Sequence, residues 1–404
     1  MALALSPPHK AWGVERHGLS LVVMEDEALH SPSRKHDGEA EENPRFLTEQ
    51  ILTYIGNKRA LLPMIGEALS IVQRVLGRRK LTLFDLFSGS GVVSRFFKRF
   101  ASSLFVNDLE AYSTICNSCY LTNRSTVDVR ELEANLVKLK QRIDEHWHSG
   151  FITELYAPKD DQNIRKGERV FYTVRNAQYI DTARQEIALL PSEMQKYFLA
   201  PLLYGASVHN NTSGVFKGFY KNKEGIGQYG GTGRNALTRI LGNIELQMPV
   251  FSNFECDVVV TQKDALQAAF DMQEEVDLAY LDPPYNQHPY GSNYFMLNLI
   301  LSYQRPECIS SVSGIPPGWN HSPYNRRDKA LEALTSLIDN LRAKFILLSY
   351  NSEGFVHYKE LMTVLSSLGE VKVMSANYNT FRASRNLRAR NIHVKEFLFL
   401  LKKR

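Results

Sequence analysis

Cysteine is scarce in this chain of 404 residues, which has only Cys116, Cys119, Cys256 and Cys308. So few cannot build the disulfide framework of a small secreted domain. Cys116 and Cys119 have Cys-x-x-Cys spacing. No second pair or nearby Cys/His set completes a zinc site, and the pair falls in a helix-like stretch where buried thiols are ordinary. No metal is expected. Long apolar runs are also missing. Nothing approaches the roughly eighteen apolar residues of a membrane span, and Leu19 to Met24 is too short and poorly flanked for a signal peptide. A cytoplasmic protein without membrane contact is the expectation. No repeat of solenoid period is present.

What is there is a composition that folds: 44% hydrophobic and 23% charged residues can bury a large core. The net charge is only +5, yet nine Lys or Arg stand against one Glu between Val371 and Arg404. Positive charge concentrated in this way suits phosphate neutralisation. At the other end, residues 1–45 carry Pro7-Pro8, Ser31-Pro32-Ser33 and acidic clusters, and read as a loosely ordered leader.

Two motifs close apolar, strand-like runs. Val276 to Leu281 ends in Asp282-Pro283-Pro284-Tyr285, and Leu81 to Leu86, which includes Asp85, ends in Phe87-Ser88-Gly89-Ser90-Gly91. Strand ends are where open α/β sheets place their chemistry. Two consecutive prolines remove two donors and fix φ, so the carbonyls of Asp282 and Pro283 are held in a pre-set direction between a carboxylate and an aromatic face. Such a site can grip a flat, amino-bearing ring. The glycine turn lets backbone approach a ligand but lacks the dinucleotide fingerprint. Asp108, ending the next apolar run, has the position of an acid that holds ribose hydroxyls. If the two strands are neighbours where strand order reverses, both sites share one crevice.

Nearly two hundred residues separate the two motifs, so something is inserted. Residues 46–120 and 251–404 read as the catalytic domain and 121–250 as a target-recognition insertion. Val127 to His148 reads as a solvated helix, and Phe171 to Asn176 as either a helix start or a contact segment. The stretch from His209 to Asn235 mixes amides, lysines, aromatics and glycines. Asn211, Lys217, Tyr220, Arg234 and Asn235 are its candidate DNA contacts, since amides read adenine edges, cations reach guanine or phosphate, and aromatics stack. Phe345 to Asn351 reads as another buried strand whose end lines the same face, and the last segment as an antiparallel hairpin whose loop offers Arg382, Arg385 and Arg388 to DNA.

In order, these motifs resemble the D12 class of N6-adenine DNA methyltransferases, which includes Dam-like and type II modification enzymes. Tyr54-Ile55-Gly56-Asn57-Lys58-Arg59 is similar to the family's opening motif, Phe87 to Gly91 to its glycine loop, Asp264-Ala265 to its cofactor-adenine contact, and Asp282 to Tyr285 to its catalytic tetrad. Tyr54 stands where the family often has Trp, and Asn57 where it often has a second glycine. The resemblance implies a doubly wound, Rossmann-like α/β sheet with a terminal antiparallel hairpin and the insertion. It implies S-adenosylmethionine, bound by Tyr54, Gly56, Lys58, Asp85, Phe87 to Gly91, Asp108, Asp264 and Ala265. It also implies duplex DNA as partner, with or without a cognate restriction endonuclease, for a monomer or weak dimer.

The chemistry follows without the family. An adenine amine is a poor nucleophile because its lone pair is delocalised, so acceptors on both its hydrogens help. Asp282 and the Pro283 carbonyl can be those acceptors. In-line displacement at a sulfonium needs positioning and electrostatics, and no nucleophilic side chain. A base in a duplex must be flipped out to reach the site, with the Tyr285 ring as its stacking face. An RNA adenine or protein glutamine methyltransferase is the alternative, disfavoured because such tetrads more often begin with Asn and lack a large preceding insertion. A non-catalytic DNA-binding protein would have an eroded tetrad, and this one is intact.

Overall fold

A computed structural model describes residues 41–231, 236–379 and 393–404. Seven strands form one sheet: β1 (Leu81–Asp85), β2 (Ala101–Asp108), β3 (Asp257–Gln262), β4 (Val276–Leu281), β5 (Ala343–Asn351), β6 (Gly369–Asn379) and β7 (His393–Lys403), in the order β3-β2-β1-β4-β5-β7-β6. The first five run parallel. β7 lies antiparallel between β5 and β6. The expected hairpin is therefore present and inserts its second strand into the sheet.

Alternation along the strands explains why helices cover both faces. Leu278 and Tyr280 of β4, Phe345 and Leu347 of β5, and Leu398 and Leu400 of β7 point into one apolar core. Their neighbours Ala279, Leu281, Ile346, Leu348, Phe399 and Leu401 point into the other. A strand buried on both faces reads as a continuous apolar run, and β4 is buried along its whole length.

The larger core is covered by α1 (Leu62–Leu76), α2 (Val92–Lys98), α3 (Ala111–Tyr120), α4 (Val129–Glu145), α5 (Phe151–Tyr156), α6 (Val174–Ala188) and α7 (Ser192–Val208), each with residues buried in it, while the short α8 (Leu237–Leu241) buries Ile240 outside it. The other face carries α9 (Ala265–Asp271). Beyond β4, α10 (Tyr290–Asn293) and α11 (Phe295–Ser302) rejoin the larger core, while α12 (Ala330–Asn340) and α13 (Tyr358–Leu368) cover the second. The insertion thus shares its core with the sheet. α4 departs from the solvated helix expected of it: Leu132, Leu136, Leu139 and Ile143 recur on one face and are buried. Phe171 and Tyr172 are buried too, and Thr173 caps α6, so that segment is a helix start.

The arm before α1 is stapled to this frame. Arg95 is 2% exposed, stacks on Tyr120 at 3.9 Å, and donates to the carbonyls of Phe46 (2.9 Å), Glu49 (2.9 Å) and Gln50 (2.7 Å). No carboxylate pairs with it among the described residues. Arg95→Met would strand those three carbonyls, at a cost of about 3–5 kcal/mol, and should lower the thermal midpoint by several degrees in calorimetry. An unchanged midpoint would mean the arm holds itself in place.

Candidate active site

β1 and β4 are direct neighbours, and β1 also pairs with β2, so strand order reverses beside β1. Ligand crevices form at such reversals, outside the carboxyl ends of the strands. A cavity of about 840 Å³ opens there. Tyr54, Gly56, Lys58, Asp85, Phe87, Ser88, Gly89, Ser90, Asp108, Asp264, Ala265, Asp282 and Pro284 line it. Five separate sequence regions therefore converge as expected. Gly91 stands just behind, as N-cap of α2, and Pro283 is buried.

Local geometry explains the glycine turn. Gly89 and Gly91 have φ of +50° and +77°, which side chains disfavour. A Cβ on Gly91 would come within 2.5 Å of Asn117 Oδ1, and one on Gly89 within 3.0 Å of the Tyr54 ring. The turn is held by the Asp108 carboxylate, which accepts from the amides of Gly89 (2.7 Å) and Glu110 (2.9 Å).

Carboxylates crowd this cavity. Asp85 is fully buried; its Oδ2 accepts from Ser94 (2.6 Å), while Oδ1 has no hydrogen-bond partner among the described residues. Burial pushes its pKa up to about 7, with Asp282 and Asp108 adding to the rise against the Ser94 hydrogen bond. Burial likewise raises Glu110 to about 7. A cation arriving here would meet concentrated negative potential. Asp264 is exposed and caps α9 by accepting from the Leu266 amide (2.9 Å).

Lys58 Nζ sits 3.1 Å from Asp282 Oδ1 and 5.7 Å from the centre of the Tyr285 ring. Burial opposes the lysine's charge, but Asp282 and then Glu396 hold its pKa well above the ordinary value. Burial raises Asp282 to about 6, with Lys58 opposing and Glu396 reinforcing the rise. Asp282 is thus mostly ionised at neutral pH. The turn after it is fixed by the Phe355 amide, which donates to the Tyr285 carbonyl (3.0 Å), and the Tyr285 ring meets Tyr350 edge-on at 6.2 Å.

On the far side of Lys58 lies a second cavity, of about 1260 Å³, lined by Gly56, Asn57, Tyr285, Asn286, Asn351 and Glu396 among others. Asn351 lies where its strand end was expected. Between the two cavities Tyr54 stacks on Tyr290 (5.0 Å) and Tyr294 (4.6 Å). Sequence reasoning missed Glu110, Tyr290, Asn320, Tyr324 and Glu396. The first lies two residues past Asp108 and the second five past the tetrad, so proximity to motifs was their only signal.

The glycine-rich loop reaches this site. The Phe216 amide donates to the Asn293 carbonyl (2.8 Å), and Gly214 lines the second cavity. Lys217 and Tyr220 are half-buried, and Lys217 is close enough to His288 to assist burial in lowering the histidine's pKa. Asn211 is a correction. Its side chain is fully buried, donating to the carbonyls of Val170 and Gln228 (both 2.8 Å) and accepting from the Gly230 amide (3.0 Å), so it knits the loop and cannot read a base. Arg234, Asn235, Arg382, Arg385 and Arg388 lie outside the described residues.

Residues 54–364 match the family model of D12 class N6 adenine-specific DNA methyltransferases. The chain is 27% identical to the type II methyltransferase M.CviAII of Paramecium bursaria Chlorella virus 1, over 86% of this chain and 97% of that one. It is 28% identical to the type II methyltransferase M.NlaIII of Neisseria lactamica, over 87% and 99% respectively. With the modification methylase StsI of Streptococcus sanguinis it shares 26% identity over 87% of its own length but only 52% of that protein's.

Proposed function

This chain belongs to the D12 class N6 adenine-specific DNA methyltransferases, and from that premise we propose that it draws its methyl group from S-adenosylmethionine and delivers it to a flipped-out adenine of duplex DNA. The observation that carries this reading is the joining of the Asp282 tetrad to the carboxylate-lined crevice through Lys58.

The crevice fits such a donor. Asp85, with a buried unpaired oxygen, would take the methionine ammonium, and Asp108 the ribose hydroxyls. Phe87 to Gly91 would follow the methionine end, and Asp264 with Ala265 the adenine end. When bound, the donor supplies an electrophilic methyl on a sulfonium. The protein's part is to hold the acceptor. Asp282 and the Pro283 carbonyl accept the two amino hydrogens, which favours a pyramidal nitrogen with its lone pair free. The Tyr285 ring supplies a stacking face worth about 1–3 kcal/mol against the cost of unstacking the base. Before the base arrives, Lys58 keeps the buried Asp282 ionised, so that it meets the amine as an acceptor and not as a donor. Tyr54, on both cavities, would separate base from donor.

Lys217, near His288, and Tyr220 would touch DNA, and Arg234, Asn235, Arg382, Arg385 and Arg388 are proposed contacts from sequence alone. The insertion, residues 121–250, would recognise the target word. Relatives named as type II and modification methylases support a restriction-modification setting, with a solitary methylase as the other arrangement. The test is transfer of labelled methyl from S-adenosylmethionine to unmethylated duplex DNA, followed by nucleoside digestion and mapping. N6-methyladenine within one short word is expected. Label in RNA or protein, with none in duplex DNA, would overturn the reading.

A further inference from the structure

Glu396 has no part in the mechanism above, yet it is a nearly dry carboxylate at the mouth of the base site. It lies on β7, in register with Asn351 of β5. Its side chain belongs to a residue only 4% exposed, and Oε2 has no hydrogen-bond partner among the described residues. It lines the second cavity with Lys58, Tyr285 and Asn351. The Asn351 side-chain nitrogen, the one donor it could offer, does not reach Oε2. A buried carboxylate oxygen left without a partner is costly unless something arrives to pair with it.

Only one cation among the described residues lines this cavity, and that is Lys58. In this structure the ammonium is bonded to Asp282. The adenine amine must bond to that same carboxylate, and an ammonium held on Oδ1 weakens it as an acceptor, so lysine and amine compete for its charge. A second seat for the ammonium would relieve the competition without leaving a charge unpaired. We propose that Glu396 is a positioning residue that takes over the Lys58 ammonium when the target amine binds Asp282. This rests on the base-site reading given above.

The charges facing the pair fit a shared lysine. Asp282 and Glu396 both support its positive charge, Glu396 and Asp282 repel one another across it, and among the described residues Tyr54, Tyr280, Tyr285, Tyr290, Glu353 and Asp85 are titratable groups around them. The three charged groups form a triad with one cation for two anions. Removing Glu396 therefore has opposite effects depending on whether the lysine is present.

That sign reversal is the test. Single-turnover methyl transfer at pH 7 is measured for wild type, E396Q, E396D, K58M and the K58M/E396Q double variant. In the presence of Lys58, E396Q leaves the ammonium tied to Asp282, and transfer should fall about tenfold. E396D keeps the charge and should retain the transfer that E396Q loses. In the K58M background the same E396Q change removes a carboxylate that suppresses Asp282 ionisation, and transfer should rise several-fold over K58M alone. A packing role would lower transfer in both backgrounds, and a direct contact with the base would do the same; either result overturns the proposal. So does E396Q equal to wild type. Wild-type transfer to duplex adenine is read first in the same assay, and its failure would condemn the base-site reading itself.

Discussion

Asp282→Ala should leave DNA and S-adenosylmethionine affinity close to wild type while lowering single-turnover methyl transfer about a thousandfold. That corresponds to roughly 4 kcal/mol of lost transition-state stabilisation, the scale seen when one preorganised polar partner of a reacting group is removed. The selectivity arises from geometry. The tetrad stands at the edge of the crevice, with Asp282 on the wall nearest Lys58, while the residues proposed to hold the donor come mainly from β1, β2 and the turns after them. Filter binding, donor titration and single-turnover kinetics on one preparation separate the effects. Retained transfer would remove Asp282 from the base site, and lost donor binding would move it to the cofactor.

Much of this site was legible because its residues sit where local pattern and topology agree. A parallel strand buried on both faces must read as an apolar run, and its ligand-facing residue must follow that run. Asp85, Asp108 and Asp282 therefore announce themselves at the ends of β1, β2 and β4. Glu396 does not. In Val394-Lys395-Glu396-Phe397 it reads as outward charge on an alternating strand, and it is buried only because β7 inserts between β5 and β6. Asn320 and Tyr324 reach the crevice from a long connection after α11 that carries no periodic signal. Asn211 shows the opposite failure. A polar, glycine-rich loop has an amide-rich composition whether those amides face a ligand or satisfy its own buried backbone, and only tertiary packing decides.

Lys58→Met has the second large expected effect, and its signature is a displaced pH profile. Asp282 lies in a site where burial raises its pKa to about 6 even with Lys58 opposing that rise. Removing the ammonium leaves burial and the neighbouring Glu396 unopposed, so the pKa must rise further. If Asp282 accepts from the target amine as proposed, the active form is the ionised carboxylate, because a protonated one would offer the adenine nitrogen a donor in place of an acceptor. Wild-type transfer should thus fall as pH drops below about 6. In K58M the same limb should lie about two to three units higher, giving a loss of about ten- to a hundredfold at pH 7 that narrows toward pH 9. A pH series of kcat/KM with DNA as the varied substrate reports this directly, since it reflects groups of the enzyme before DNA binds. If K58M is depressed equally at all pH values, the lysine positions the base or the donor and does not govern Asp282. If K58M is active with an unmoved limb, the 3.1 Å ion pair has no role in the reaction.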